Sequence, residues 1–342
     1  MAKYLIDDST LTSIADAIRD KTGSSQGITP ESMATEITNM SSGVIEGPYI
    51  EETYDSSGNL IEAKMVGYTK IRDYIYQNCT KLELTTLPSG LTSIGSYAFN
   101  GCSNLLSVDL PSSLTTIESY AFQNCTKLEL TTLPSGLTSI GSYAFNKCSS
   151  LTSIILPSSL TTIESYVFSS CSSLSSIDLP SGLTTIKSYA FTDCTKLVLT
   201  SLPSGITTIL DGAFKNCNRL ALTTLPSGLI NIASYAFSNC RDLALTSLPS
   251  GITIIDSYAF QYCTNLTKMS LPVNLQTIKS YAFYACSGLT EITFEGTPKT
   301  IFGSVFSNCK NLITINVPWA EGAVANAPWG ATNATINYNY TA

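Results

Sequence analysis

The sequence contains no histidine among its 342 residues. A chain without histidine cannot build a Ser-His or Cys-His nucleophile, a histidine metal site or a histidine acid–base pair, which excludes most hydrolase designs. A glycan hydrolase would need only two carboxylates a few ångströms apart. The acids after residue 67 are scattered instead, and Glu118 and Glu164 are separated by Gly141 at the corresponding place in the intervening segment. We expect no catalytic residues and keep a carboxylate-based glycan hydrolase as the third functional hypothesis.

Charged residues are scarce, at 13%, whereas 44% of the residues are hydrophobic. This balance favours a packed, β-rich protein over a disordered one. The net charge of -7 arises at the start, because residues 1–66 carry 11 acids and 4 bases while residues 67–342 carry 14 of each. Without a basic stripe to bind phosphates, we expect no nucleic-acid partner.

Long hydrophobic runs are also absent. No stretch approaches the roughly 18 apolar residues of a membrane span, and the first eight residues lack the apolar core of a signal peptide. We therefore expect that the chain does not insert into a membrane. We also expect it to be synthesised in the cytoplasm of the producing cell. A particle released by lysis would still carry the chain out of that cell.

Against these absences stands a regular series of cysteines. Counted from each cysteine, Leu recurs at +3, an apolar residue at +8, Pro at +9, Leu or Ile at +12, Ile at +15, Tyr at +18 and Phe at +20. The tyrosine series breaks at Gly212 and Ser304. Fixed self-similarity of this length indicates stacked repeats that bury their apolar faces against one another. The cysteines recur with an unbroken 23-residue period and are Cys79, Cys102, Cys125, Cys148, Cys171, Cys194, Cys217, Cys240, Cys263, Cys286 and Cys309.

We therefore predict a β-rich solenoid of 23-residue turns over residues 68–318. In each turn, the apolar residues at +3 to +8 and at +12 to +15 predict two short strands, and Tyr-Ala-Phe-x-x-Cys predicts a tight corner. Asn78–Asn100 and Asn124–Asn146 are identical in sequence, which indicates duplication of a two-turn block.

The Cys-x-x-Leu start, the Leu-Pro turn and the Tyr-Ala-Phe corner resemble the BspA-like leucine-rich repeat family over about three-quarters of the chain. The resemblance implies a curved, right-handed solenoid with a binding or adhesive role.

Metal and disulfide chemistry fit the cysteines poorly. Zinc ligands converge on one point, whereas a ladder of thiols forms a line. Disulfides are not expected either, because the number of cysteines is odd and the chain folds in a reducing compartment. We predict free, buried thiols that pack as small apolar side chains, and no metal or cofactor.

The two ends depart from the period. Residues 1–45 are predicted to form a module of two short amphipathic helices, and residues 46–67 a hairpin of strands Tyr49–Tyr54 and Leu60–Val66 that leads into the solenoid and caps it. Residues 11–23 and 28–37 resemble an N-terminal module of tail and fibre-type proteins from phages of gut Gram-positive bacteria.

Residues 319–342 contain both tryptophans, Trp319 and Trp329, and are predicted to form a C-terminal cap. The alternative is an aromatic tip that stacks on sugars or contacts another subunit. This segment resembles the end of phage leucine-rich repeat proteins. The tyrosines at +18 are a second candidate for sugar stacking.

Recognition is expected on the strip around each cysteine, where charge varies from turn to turn. The candidate binding residues are Lys127, Lys147, Asp193, Lys215, Arg219, Arg241, Asp242, Lys310, Trp319 and Trp329.

The first functional hypothesis is a virion protein that attaches through residues 1–45 to a phage tail and presents the solenoid to a host-surface glycan or protein. The second is a bacterial surface adhesin. The sequence leaves open whether the chain forms a homo-oligomer.

Overall fold

The computed structural model describes residues 4–5 and 49–341. The predicted helical module of residues 1–45 therefore lies outside the described residues, except that Tyr4–Leu5 forms a strand, which the sequence analysis did not anticipate. The chain divides into two compact units, Met1–Leu151 and Thr152–Ala342. In the described ranges all regular elements are strands.

Unit 1, Met1–Leu151, contains a sheet in the order β1-β2-β3-β5-β7 and a sheet in the order β4-β6-β8-β9. The predicted hairpin is confirmed, because β2 and β3 pair antiparallel with the expected bounds. Strand β3 then pairs parallel with the first repeat strand, β5. The strands are β1 Tyr4–Leu5, β2 Tyr49–Tyr54, β3 Leu60–Val66, β4 Lys70–Ile71, β5 Leu84–Thr86, β6 Ser93–Ile94, β7 Ser107–Asp109, β8 Thr116–Ile117 and β9 Ser139–Ile140.

Unit 2, Thr152–Ala342, contains four sheets, in the orders β10-β12, β11-β13-β14, β15-β16-β18-β20 and β17-β19-β21-β22. Its strands are β10 Ser153–Ile155, β11 Thr162–Ile163, β12 Ser176–Asp178, β13 Thr185–Ile186, β14 Thr208–Ile209, β15 Asn231–Ile232, β16 Ile254–Ile255, β17 Lys268–Leu271, β18 Thr277–Ile278, β19 Glu291–Phe294, β20 Thr300–Ile301, β21 Thr314–Asn316 and β22 Thr335–Asn337.

The repeat strands pair in parallel with partners one repeat period apart, as in Ile94 with Ile117 and Ile186 with Ile209. Consecutive turns therefore stack in register, and each equivalent side chain lies against its copy in the next turn. The predicted β-solenoid of 23-residue turns is confirmed within each unit.

Stacked phenylalanines form the centre of this core. Phe99, Phe122 and Phe145 in unit 1 are at most 1% exposed, and their ring centroids lie 5.2 and 5.5 Å apart. In unit 2 the series from Phe168 to Phe306 is equally buried. Each ring removes a large apolar surface from water and packs parallel to its neighbours, so the ladder stabilises every turn through the turns beside it.

Ten of the eleven cysteines are buried as predicted, and Cys79 is half-buried. The thiols also have a role that the sequence analysis missed. In at least nine of the described cysteines, Sγ donates a hydrogen bond of 2.9 to 3.2 Å to the backbone carbonyl of the aromatic residue 26 positions earlier, as Cys217 does to Phe191. The cysteine therefore fills a small space and also donates to a buried carbonyl of the previous turn.

The corner before each cysteine from Cys79 to Cys286 contains two residues with left-handed backbone, whereas the corner before Cys309 contains one, Asn308. One is the tyrosine at +18, with φ of 57° in Tyr97 and 62° in Tyr120, and the other directly precedes the cysteine, as in Asn124 with φ of 60°. A left-handed conformation costs a residue with a side chain about 1–2 kcal/mol. The backbone N–H of Tyr97 donates to Ser119 O at 3.1 Å in the next turn, and the ring stacks on Tyr120, which offset this cost.

The strand predicted at +3 to +8 forms in some repeats only. Six repeats place Val, Ile or Met at +6, bury it and form a strand, as Val108 does in β7. The other five have Leu-Thr-Thr or Leu-Thr-Ser at +5 to +7. In four of these, at residues 130–132, 199–201, 222–224 and 245–247, no strand forms. The prediction was wrong there because +6 carries threonine in place of a buried Val, Ile or Met, and both hydroxyl residues, at +6 and +7, are exposed in all four repeats. In two of them the leucine at +5 is buried instead, as Leu222 and Leu245 are.

The end of unit 2 packs against its last repeat. Strand β22 pairs parallel with β21, with Ile336 opposite Ile315, at a spacing shorter than the repeat period. Trp319 and Trp329 are 6% and 0% exposed, and their ring centroids lie 5.2 and 6.0 Å from that of Phe294. Trp329 Nε1 also donates to Ala325 O at 2.7 Å.

Candidate binding surface

The predicted binding residues fall into three groups by exposure. Asp193 and Lys215 are half-buried, and Trp319 and Trp329 are buried. Because packing against Phe294 and the surrounding residues encloses both indole rings, neither face is open for a sugar to stack on. The exposed residues are Lys127, Lys147, Arg219, Arg241, Asp242 and Lys310.

Unit 2 joins two of these residues through a chain of amides. Asn216 Nδ2 donates to Asp193 Oδ1 at 2.6 Å, and Asn239 Nδ2 donates to Asn216 Oδ1 at 3.1 Å. Arg241 Nε donates to Asn239 Oδ1 at 3.0 Å. A row of polar groups from three successive turns is therefore held in fixed order, with an acid at one end and a guanidinium at the other.

A different arrangement in unit 2 surrounds the break in the tyrosine series at Gly212. This residue keeps the left-handed backbone, with φ of 59°, and a Cβ added to it would lie 2.4 Å from the Tyr189 ring. Tyr189 therefore lies against the space that a side chain at residue 212 would fill. On the other side, Lys215 Nζ lies 5.1 Å from the centre of the Tyr235 ring, within the range of a cation–π interaction.

In unit 1 the stacked tyrosines cover one another's ring faces. In unit 1, Tyr97 and Tyr120 stack at 4.5 Å with planes 5° apart, and Tyr120 and Tyr143 at 4.6 Å and 7°. A sugar stacks on an aromatic face, and those faces are occupied by the neighbouring tyrosines. Within this stack, the geometry therefore disfavours the sugar-stacking role considered for these residues.

A polar ladder in unit 1 was not identified from the sequence. Asn100 Nδ2 donates to Gln123 Oε1 at 2.7 Å, and Gln123 Nε2 donates to Asn146 Oδ1 at 3.0 Å. The signal was present, because an amide side chain occupies offset +21 in three consecutive turns. Likewise, the frequent Asn, Asp and Gly just before the cysteines indicate left-handed backbone, which these residue types tolerate best.

Unit 1 also contains an open groove with a volume of about 400 Å³. It lies between strand β7 and the non-strand segment 129–134, and carries both acidic and hydroxyl side chains. Its lining includes Val108, Asp109, Glu129, Leu130, Thr131 and Thr132. None of these residues was predicted from the sequence to bind a ligand.

Burial lowers the reactivity of the Cys79 and Cys217 thiols. Burial raises the pKa of the half-buried Cys79 thiol to about 12, and it raises the pKa of the Cys217 thiol well above its ordinary value. Thiolate is the reactive form, so both groups are poor nucleophiles at neutral pH. Over the described part of the chain, no cluster of three or more Cys, Asp or Glu side chains could hold a metal ion, and no helix is long and apolar enough to span a membrane.

In-register parallel strands, a 23-residue period and an inward leucine at +3 define a β-solenoid of the leucine-rich repeat class. Residues 69–198 and 185–313 match the family described as BspA type leucine rich repeat region, in six copies. The chain belongs to this family.

Solved structures with a similar fold come from several bacteria. A leucine rich cell surface protein from Faecalibacterium prausnitzii is 23% identical, with 82% of this chain and 96% of that one covered and a TM-score of 0.46. A leucine-rich repeat protein from Bacteroides ovatus is 22% identical, with coverage of 86% and 99% and a TM-score of 0.44. The pneumococcal vaccine antigen PcpA is 17% identical, with coverage of 83% and 82% and a TM-score of 0.46. A comparison with curated proteins found no match.

Proposed function

We propose that this chain is a non-enzymatic binding protein that presents its repeats to a host-cell-surface glycan or protein. We further propose that residues 1–45 attach it to a phage tail or a similar virion, so that the mature protein is located on the particle. The observation that carries the proposal is the contrast between a repeated core and a variable surface strip.

The core positions keep the same residue types from turn to turn. Phe at +20 and Leu at +3 are buried in repeat after repeat, as Phe237 and Leu243 are. Positions beside the cysteines instead change between Lys, Asp, Arg, Ser and Asn, and most of them stay at least half-exposed. A surface whose charge can change without disturbing the core suits recognition of a variable target.

The attachment part of the proposal is supported by sequence resemblance. Residues 11–23 and 28–37 resemble a module of phage tail and fibre-type proteins, and the segment from Val317 to Ile336 resembles the end of phage leucine-rich repeat proteins. We propose that residues 319–341 serve as the cap of unit 2, supported by the enclosed indoles of Trp319 and Trp329. A cap of this kind keeps the last apolar layer away from water.

The test separates attachment from recognition. A chain lacking residues 1–45 should be absent from particles, as judged by immunogold labelling, yet should remain folded and still bind host cells. Circular dichroism and the chain with residues 1–45 intact provide the controls. Loss of host-cell binding by a folded deletion variant would contradict the division of roles, and particles without label from the intact chain would contradict the virion location.

The same experiments address the alternatives. A chain displayed by the producing bacterium, with no label on particles, would support a cell-surface adhesin of this fold. Release of reducing ends from host glycans by the purified chain would instead support a carboxylate-based glycan hydrolase.

A further inference from the structure

We infer that the groove in unit 1 between β7 and residues 129–134 binds an uncharged sugar residue, with Asp109 and Glu129 as hydrogen-bond acceptors. This inference rests on the proposed function, because it assigns a subsite and a chemical class to the target that the repeats would recognise.

The groove exists because two forms of the repeat meet there. Strand β7, with Val108 turned inward, is the last strand of its sheet. In the following repeat Glu129 N donates to Leu106 O, directly before β7, at 2.8 Å, and residues 130–132 then form no strand, with Leu130 half-buried beside the groove. The edge of β7 is therefore not covered by a paired strand of that sheet, and a space of about 400 Å³ opens beside it.

This volume lies within the range of about 300–1,000 Å³ typical of small-molecule sites. Leu130 is half-buried and supplies an apolar wall, while Thr131 and Thr132 are exposed and supply hydroxyl groups. A sugar ring carries hydroxyl donors at its rim and apolar C–H groups on its faces. The groove offers a complementary partner for each of these groups.

The charges of the lining select among sugars. Asp109 and Glu129 are the charged residues of the lining, and both are exposed. Carboxylates accept strong hydrogen bonds from sugar hydroxyls, because charge-assisted bonds are stronger than neutral ones. The same two carboxylates repel a uronate, a sialate or a phosphate. The site therefore fits an uncharged sugar and disfavours an acidic one.

The chain contains two matched controls for this site. Glu83 has the same local sequence as Glu129, but its repeat forms strand β5 between β3 and β7 and leaves no such edge. In unit 2, β12 is likewise followed by a repeat without a strand. Asp178 in β12 corresponds to Asp109, but the residue corresponding to Glu129 is Val198, which is 40% exposed. The second carboxylate is thus specific to the groove in unit 1.

The experiment measures binding of the full chain to uncharged oligosaccharides of glucose, galactose, mannose and N-acetylglucosamine, and to oligogalacturonate, by calorimetry and saturation-transfer NMR. We expect at least one uncharged oligosaccharide to bind. Glu129→Gln and Asp109→Asn should each weaken that binding at least ten-fold, whereas Glu83→Gln and Asp178→Asn should change it less than two-fold. Circular dichroism of each variant checks that it is folded.

Measuring host-cell binding by the same proteins separates a failure of the groove assignment from a failure of the proposed function. A chain that binds host cells but none of the uncharged oligosaccharides, or whose oligosaccharide binding survives Glu129→Gln, would overturn the groove assignment and leave the proposed function standing. Stronger binding of oligogalacturonate, or loss of sugar binding in EDTA, would also overturn it. A chain that binds the oligosaccharide through Glu129 but no host cell would support the groove and contradict the proposed function.

Discussion

The buried hydroxyl group of Thr85 is predicted to destabilise unit 1, and a single substitution can test this. It lies in β5 with Ala63 opposite on one side and Val108 on the other, and it is only 5% exposed. Its Oγ1 has no hydrogen-bond partner among the described residues. Thr85→Val would replace this hydroxyl with a methyl group of similar size. Thr131, in the identical copy of this repeat, is exposed and supplies the control.

A buried hydroxyl without a partner costs about 1–3 kcal/mol, and the added methyl group becomes buried. We therefore expect Thr85→Val to increase the free energy of unfolding of unit 1 by about 1–2 kcal/mol. Thr131→Val should change it by less than about 0.5 kcal/mol, because exposed substitutions away from special features have small effects.

The assay must report on unit 1, and both tryptophans lie in unit 2. Urea unfolding followed by far-UV circular dichroism should be combined with amide hydrogen exchange at residues 84–86, where Thr85→Val should raise protection about 5- to 30-fold. Equal stabilisation by Thr131→Val, or destabilisation by Thr85→Val, would refute the assignment of the unpaired hydroxyl.

Four further outcomes follow from the packing and the charges. Phe237→Ala should destabilise unit 2 by about 3–5 kcal/mol in chemical unfolding, because it empties one place in the phenylalanine ladder, and a loss below about 1 kcal/mol would contradict that role. Trp329→Ala should cost a similar amount, measured the same way, since that indole is fully enclosed. Iodoacetamide should alkylate Cys79 in the folded chain at pH 8 at least ten-fold more slowly than in denaturant, because its pKa is raised to about 12. Burial alone would raise the pKa of Asp256, but hydrogen bonds from Lys279 and Ser257 lower it below its ordinary value. The ion pair of Asp256 with Lys279 therefore stabilises the folded chain above about pH 4, and this stabilisation is lost as the pH falls through the folded-state pKa of Asp256. Asp256→Asn should therefore remove under about 1 kcal/mol of pH-dependent stability in acid titrations.

Much of the fold could be predicted because the 23-residue period does not vary along the repeats. A side chain that recurs at one offset must lie against its copy in the next turn, which identified Phe122, Cys125 and Leu128 as core residues, all essentially buried. The hairpin was predicted from two β-rich segments around Asp55–Asn59, and its bounds agree with the structure. The candidate site was harder to predict, because outward positions carry no packing signal.

Two structural features that were not predicted could have been recognised from the residues of a single turn. Asn, Asp and Gly before the cysteines indicated left-handed backbone, and the two forms of the repeat differ visibly at +5 and +6. Other features leave no signal in the sequence of a single turn. The stacking of tyrosine faces, the position of Lys215 over Tyr235 and the thiol bond of Cys217 to Phe191 depend on distances between turns, and the sequence of one turn does not contain them.

The two identical segments separate the contributions of sequence and tertiary structure. In both copies the sequence by itself determined the turn length, the buried Leu82 and Leu128 and the Leu-Pro bend, because these follow from local pattern and period. Only the tertiary structure decided that residues 84–86 form a strand while residues 130–132 do not. The first copy has β3 on one side and β7 on the other, and these partners satisfy its backbone hydrogen bonds and draw Thr85 inward. The second copy has the same residues but a different neighbour, so Leu130 is half-buried, Thr131 and Thr132 are exposed, and the groove opens beside β7.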